Sequence, residues 1–342
     1  MQPDQTELLM RLMCERVLII DGAFGTMVQQ HHLNEEAFRG NHPLLCTHTH
    51  ELKGDNDILV LSQPILVEDI HRAYLSAGAD IIETNSFGAT TIAQDDYGLG
   101  FLTRQMNQAA AAIARRVADE FSTPSHPRFV AGSIGPTNKT GSISPDVSNP
   151  AQRNITFLEL VTAYREAVEG LAEGGADILL VETVFDTLNA KAALFAIESF
   201  FEASGQRLPV MISGTITDTS GRTLSGQTPE AFLNSIRPFN PIAVGLNCAL
   251  GATLMRPYVA ALSAAADCAI LCYPNAGLPN PMSETGYDET PEEIAASLAS
   301  FAQAGLVNIV GGCCGTTPDH IKAIAHAVRP VTPRAIPASQ SA

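Results

Sequence analysis

The sequence predicts an α/β protein of the TIM (β/α)8 barrel class, in a single domain, on three observations. Eight short, continuously apolar and β-branched segments alternate with eight helical patterns along nearly the whole chain, which is how strands buried on both faces of a parallel sheet read. The long connections, 28–64, 136–156 and 217–228, all follow strand ends, while the opposite turns are short; barrel enzymes build their sites on the long side. A weak repeat marks the strand entries: Ala77-Gly78-Ala79-Asp80-Ile81-Ile82-Glu83-Thr84 is echoed by Gly174-Gly175-Ala176-Asp177-Ile178-Leu179, and more faintly by Ala304-Gly305-Leu306-Val307-Asn308-Ile309. In each, a glycine ends a helix where a left-handed residue is needed.

The elements follow in order. The first strand, 17–23, is the run Val17 to Ile20 closed by Asp21, and a helix is expected at 65–76 after a long loop. The second strand, 79–87, ends in Glu83-Thr84-Asn85 before a helix at 101–121; the third, 128–135, precedes a helix at 157–173. The fourth, 176–184, carries Glu182 near its end and leads to a helix at 188–203; the fifth, 209–216, leads to one at 229–237. The sixth, 241–249, stops at Asn247-Cys248 before a helix at 253–266; the seventh, 268–277, holds Asn275 and precedes a helix at 291–304. The eighth, 307–315, ends in Gly311-Gly312-Cys313-Cys314-Gly315, with the last helix at 318–328. Residues 1–328 are thus read as the barrel and 329–342, rich in proline, as a linker or disordered tail. A doubly wound sheet is disfavoured, because no GxGxxG opens a helix and 21–26 has the wrong spacing.

Composition bounds the function. The 342 residues are 45% apolar and 16% charged, which suits one large core. A net charge of −16 argues against nucleic acid or an anionic membrane as partner. Without a signal-peptide core or an apolar stretch of spanning length, the chain is expected to be cytoplasmic. Seven cysteines, an odd number, then read as free thiols or ligands.

If the strands close in register, their C-terminal ends converge on one mouth. That brings together Asp21, Asn85, Glu182, Asn247, Cys248, Asn275, Cys313 and Cys314. Three thiols from two strand ends suit zinc or another thiophilic ion, and three protein ligands leave a tetrahedral ion one open position, the mark of a metal that binds substrate. Two carboxylates and three thiols suit a substrate with an ammonium at one end and a thiol at the other. Isolated free cysteines are usually core, the reading applied to Cys14, Cys46, Cys268 and Cys272. Asp80 and Asp177, at strand starts, read as turn or cap residues, and Asp69 and His71 as helix surface. Asn247 reads either as a donor to a ligand sulfur or as a tie between strand end and loop.

The strand-end motifs carry a resemblance: DGAFGTM at 21–27, ADIIETNSF at 79–87, GPTN at 135–138, LVETVFDTLNAKAA at 180–193, MISGTITDTSGRTLSGQT at 211–228, GLNCALG at 245–251, PNAGLPN at 274–280 and GGCCGTTPDHI at 311–321. Together they resemble the zinc-dependent homocysteine S-methyltransferase family, and SISPDVSNPAQRNITF at 142–157 narrows the likeness to the homocysteine-binding barrel of cobalamin-dependent methionine synthase. The resemblance implies a methyltransferase in which Cys248, Cys313 and Cys314 hold zinc and the homocysteine sulfur completes the tetrahedron. It implies that Asp21 and Glu182 hold the amino group, that backbone N–H groups of Gly22, Ala23 and Phe24 receive the carboxylate, and that Asn275 occupies zinc only without substrate. Asn85 and Asn247 are taken as further substrate-side groups. The methyl donor it implies is methylcobalamin. Nothing in the chain matches cobalamin-binding or methyltetrahydrofolate-binding modules, so a partner module or chain is expected to supply it. The alternatives are a stand-alone enzyme drawing on S-methylmethionine or betaine, and a homocysteine- or zinc-binding module without turnover.

Overall fold

A computed structural model describes residues 2–217, 220–283 and 286–337. All eight expected strands are present: β1 Leu18–Ile19, β2 Ile81–Glu83, β3 Phe129–Ile134, β4 Ile178–Val184, β5 Val210–Gly214, β6 Ala243–Gly251, β7 Ala269–Asn275 and β8 Ile309–Val310. They pair in parallel in the order β1-β8-β7-β6-β5-β4-β3-β2, and a parallel bridge between Ile20 and Ile81 closes the ring. The eight outer helices lie at Pro64–Ala77, Thr103–Phe121, Phe157–Gly174, Thr187–Ser204, Pro229–Ile236, Ala252–Ala265, Pro291–Gln303 and Pro318–Val328. This is a TIM barrel.

Side-chain alternation along the strands divides the core in two. Ile20, Ile81, Phe129, Ala131, Ile178, Leu180, Met211, Ala269 and Ile309 fill the barrel interior, and Leu9, Leu12 and Met13 of an added helix, Thr6–Glu15, pack against the same cluster. The opposite faces pack against the outer helices.

The sequence repeat has a physical meaning. Asp80 accepts the N–H of Ile19 at 2.9 Å, Asp177 that of Val130 at 2.8 Å, and Asn308 that of Ile270 at 3.0 Å. Each repeat therefore stitches an even-numbered strand to the odd-numbered one before it. Asp80 also pairs with Arg16 and His126, and Asp177 with Arg115. These are inter-strand ties with ionic support, where turn or cap residues were expected.

Other expectations need correction. Asp69 is on the helix surface, but His71 is fully buried beside Phe24, with neither ring nitrogen hydrogen-bonded among the described residues. Burial pushes its pKa down to about 4, so it is neutral. Cys272 is buried and Cys268 half-buried, whereas Cys14 and Cys46 are exposed. Within the segment whose composition suggests a linker, the Arg334 guanidinium is bound by Ser263 and by the carbonyls of Ala266 and Cys268; residues 338–342 lie outside the described residues. None of the described helices is long and apolar enough to cross a membrane.

Candidate active site

The interior alternation that is apolar low in the barrel turns polar at the mouth. Two residues beyond Ile81 stands Glu83, beyond Ala131 Ser133, beyond Leu180 Glu182, beyond Met211 Ser213, and beyond Leu271 Tyr273. Asn247 occupies the same face of β6, where it pairs in register with Tyr273.

The three sulfurs converge. Cys248 Sγ lies 3.9 Å from Cys314 Sγ, Cys313 Sγ lies 4.0 Å from Cys314 Sγ, and all three fall within 4.8 Å of one another. Among the described residues they form the one cluster of three or more histidine, cysteine or acidic side chains spaced for a metal. Zinc–sulfur bonds of about 2.3 Å set the sulfurs of a tetrahedral ion about 3.8 Å apart, so the spacing fits one ion. Backbone geometry aims them. Register shifts between Asn247 and Gly251, and Cys248 and Ala249 take left-handed φ of 60° and 56°, a bulge that turns consecutive side chains into the mouth. Cys314, hydrogen-bonded by Cys248 and Cys313, is pulled down to about 3, while Cys313, bonded first to Cys248, is held well above the thiol range. Three sulfurs this close, one of them drawn toward its thiolate by the other two, suit a cation.

Asn247 is fully buried behind the sulfurs. Its Oδ1 accepts Ser213 Oγ at 2.7 Å and Thr183 N–H at 3.1 Å, and its Nδ2 donates to Thr183 Oγ1 at 2.8 Å and approaches Cys313 Sγ at 3.9 Å. Asn247 thus ties the end of β6 to β4 and β5, where a tie to a loop was one expectation, and it also stands within reach of a cysteine sulfur. Asn275 is buried, and its Oδ1 has no hydrogen-bond partner among the described residues.

The carboxylates form the other half. Asp21 Oδ2 accepts the Glu83 N–H at 3.1 Å, and Oδ1 is buried without a partner among the described residues. Glu182 accepts hydrogen bonds from Ser133 and, at 3.3 Å, from Tyr273. Burial first, with Ser133 and Tyr273 opposing and Cys314 adding, lifts Glu182 to about 7. Burial also raises Asp21 and Glu83, and the nearby Glu182 pushes both further. Such a group of acids calls for a cationic ligand.

At 22–24, Ala23 N–H donates to Thr316 Oγ1 at 3.1 Å, and Tyr74 OH donates to Ala23 O at 3.0 Å. Of the three N–H groups at 22–24, that of Ala23 is thus already engaged. Asn85 donates to Asn56 O at 2.7 Å, tying the end of β2 to the loop after β1.

Sequence reading missed Glu83, Ser133, Ser213, Tyr273 and Tyr287. The first four carried a signal in strand alternation, each two positions beyond an apolar inward residue. Tyr287, on the loop after β7, hydrogen-bonds Cys314; its ring packs where a side chain at Gly315 would stand, 2.5 Å from its Cβ, and no strand pattern announces it.

A family model described as homocysteine S-methyltransferase matches residues 18–328. Among solved structures the chain is similar to the homocysteine methyltransferase MmuM from Escherichia coli. The oxidized form aligns with TM-score 0.70 at 20% identity, over 91% of this chain and 95% of that one. The metallated form gives 0.69 at 20% identity, over 91% and 96%.

Proposed function

The chain belongs to the homocysteine S-methyltransferase family, and from that premise we propose that it methylates homocysteine held as a zinc-bound thiolate, with methylcobalamin as the donor. The observation that carries the reading is the three-sulfur cluster facing buried carboxylates across one barrel mouth. Cys248, Cys313 and Cys314 would hold the zinc, and the unpartnered Asn275 Oδ1 suits the fourth position until substrate arrives. Zinc bound there keeps a coordinated thiol deprotonated at neutral pH, and the thiolate is the nucleophile.

The chain's own groups do the rest. Asp21 and Glu182 draw in the ammonium, and N–H groups at 22–24 receive the carboxylate. Asn247 and Tyr287 hold Cys313 and Cys314 in place by contact with their sulfurs. Fixing both ends of homocysteine leaves its sulfur one direction in which to meet a donor. That sulfur gains the methyl group, and the donor keeps the electron pair of the broken bond. Residues 1–328 serve as the barrel domain. The cobalamin and folate modules would come from a partner module or chain, and the setting is cytoplasmic.

A second reading, a stand-alone enzyme using S-methylmethionine or betaine, draws support from the alignment of this barrel over 95% of the MmuM chain. The motif at 142–157 favours the first. Incubating zinc-loaded protein and homocysteine separately with methylcobalamin, S-methylmethionine and betaine tests the choice. Methionine from methylcobalamin alone is expected. Methionine only from a small donor would overturn this choice, and none from any donor, with zinc bound, would leave a binding module.

A further inference from the structure

Three carboxylates stand at the mouth, but they are not equally free. Both oxygens of Glu182 are engaged from within the barrel, by Ser133 and Tyr273. Asp21 Oδ2 accepts the backbone N–H of Glu83, while Asp21 Oδ1 and Glu83 Oε1 are buried with no hydrogen-bond partner among the described residues. Glu83 lies two residues beyond Ile81, which packs in the barrel interior, so its side chain leaves β2 on the inward face. The charges that act most on it, Glu182 and then Asp21, share its sign.

A buried carboxylate oxygen without a donor is costly, more so when its neighbours are acids. A primary ammonium supplies three N–H donors and a positive charge. Asp21 Oδ1 and Glu83 Oε1 are the carboxylate oxygens here with no donor at all among the described residues, and each oxygen of Glu182 keeps one acceptor site free. We propose that Glu83, to which the family resemblance gives no role, is a specificity-determining residue that receives the ammonium of homocysteine together with Asp21 and Glu182. The inference rests on the homocysteine-binding reading above.

The test compares L-homocysteine with 4-mercaptobutanoate, which keeps the thiol and carboxylate but lacks the amino group. Each is titrated calorimetrically into the full, zinc-loaded chain and into Glu83→Gln, Glu182→Gln and Asp21→Asn. Glutamine is nearly isosteric, and the backbone bond from residue 83 to Asp21 survives it. Glu83→Gln is expected to weaken homocysteine by about tenfold or more, the scale of one charge-assisted hydrogen bond, and to change 4-mercaptobutanoate less than about twofold. Glu83→Asp, which keeps the charge, should recover part of the loss. Equal losses for both ligands in Glu83→Gln, or no loss, would overturn the role of Glu83. If Glu182→Gln or Asp21→Asn discriminates while Glu83→Gln does not, only this inference fails. If wild-type protein binds the two ligands alike, ammonium recognition at this mouth fails with it.

Discussion

Cys248 and Cys314 bring their sulfurs to 3.9 Å although 66 residues separate them in the chain. The contact exists because β6 ends in a bulge with Cys248 in a left-handed conformation, while the chain leaving β8 delivers Cys313 and Cys314 to the same mouth. The sulfurs sit on the rim, above a core that closes without them. Cys314→Ser should therefore lose the proposed zinc, and activity with it, while unfolding free energy changes by no more than about 1 kcal/mol in metal-free protein. Metal analysis beside denaturant unfolding checks this; global unfolding of the variant would contradict it.

Asn247 satisfies Ser213 and Thr183 while touching Cys313. Asn247→Ala leaves those buried partners short of hydrogen bonds, and a cost of about 2–4 kcal/mol is expected in urea unfolding. Zinc affinity should also fall by about tenfold or more, as when a group orienting a ligand is lost. Chelator competition measures this, and unchanged affinity would show that the sulfur contact does nothing.

Gly22 has no room for a side chain. A Cβ there would stand 2.8 Å from both Thr316 Oγ1 and the ring of the fully buried Tyr74. Gly22→Ala should cost about 1–3 kcal/mol of stability and raise the KM for homocysteine by displacing 22–24, with zinc content unchanged. An unaltered KM would remove this segment from the substrate site.

Glu182 gives a pH signature. Its carboxyl, raised from 4.5 to about 7 by burial, favours folding fully while protonated in both states, below about 4.5, and that contribution is lost as pH rises through about 7. Glutamine does not titrate. In metal-free protein the stability of Glu182→Gln relative to wild type should thus rise by about 2 kcal/mol between pH 5 and pH 8. Denaturant unfolding at the two pH values reads it; a flat difference would mean that the carboxyl is not raised. The same variant should bind homocysteine more weakly yet keep its zinc.

Much of this was legible in the sequence, for physical reasons. Strands buried on both faces leave apolar runs that stand out, and glycine after a helix marks where the chain turns into Asp80, Asp177 and Asn308. Asp21 and Cys313 were visible because a polar or thiol side chain closes an apolar run. Glu83, Ser133, Ser213 and Tyr273 left only a two-residue spacing from an apolar inward residue, a signal easily absorbed into the buried run because the helix-facing positions between them are apolar. His71 was misplaced because histidine reads as polar, although its neutral ring packs like an aromatic against Phe24. Nothing local could show Tyr287, which reaches Cys314 only through the fold of the loop after β7.

Cys248, Cys313 and Cys314 would hold the proposed zinc, and the sulfur of homocysteine would take its remaining position. Zinc-edge X-ray absorption of the full chain, without and with homocysteine, tests it most directly. Three sulfurs and one oxygen or nitrogen are expected in the first case, and four sulfurs at about 2.3 Å in the second. A metal that keeps the same ligands when homocysteine is bound, or one not coordinated by three sulfurs at the outset, would contradict it.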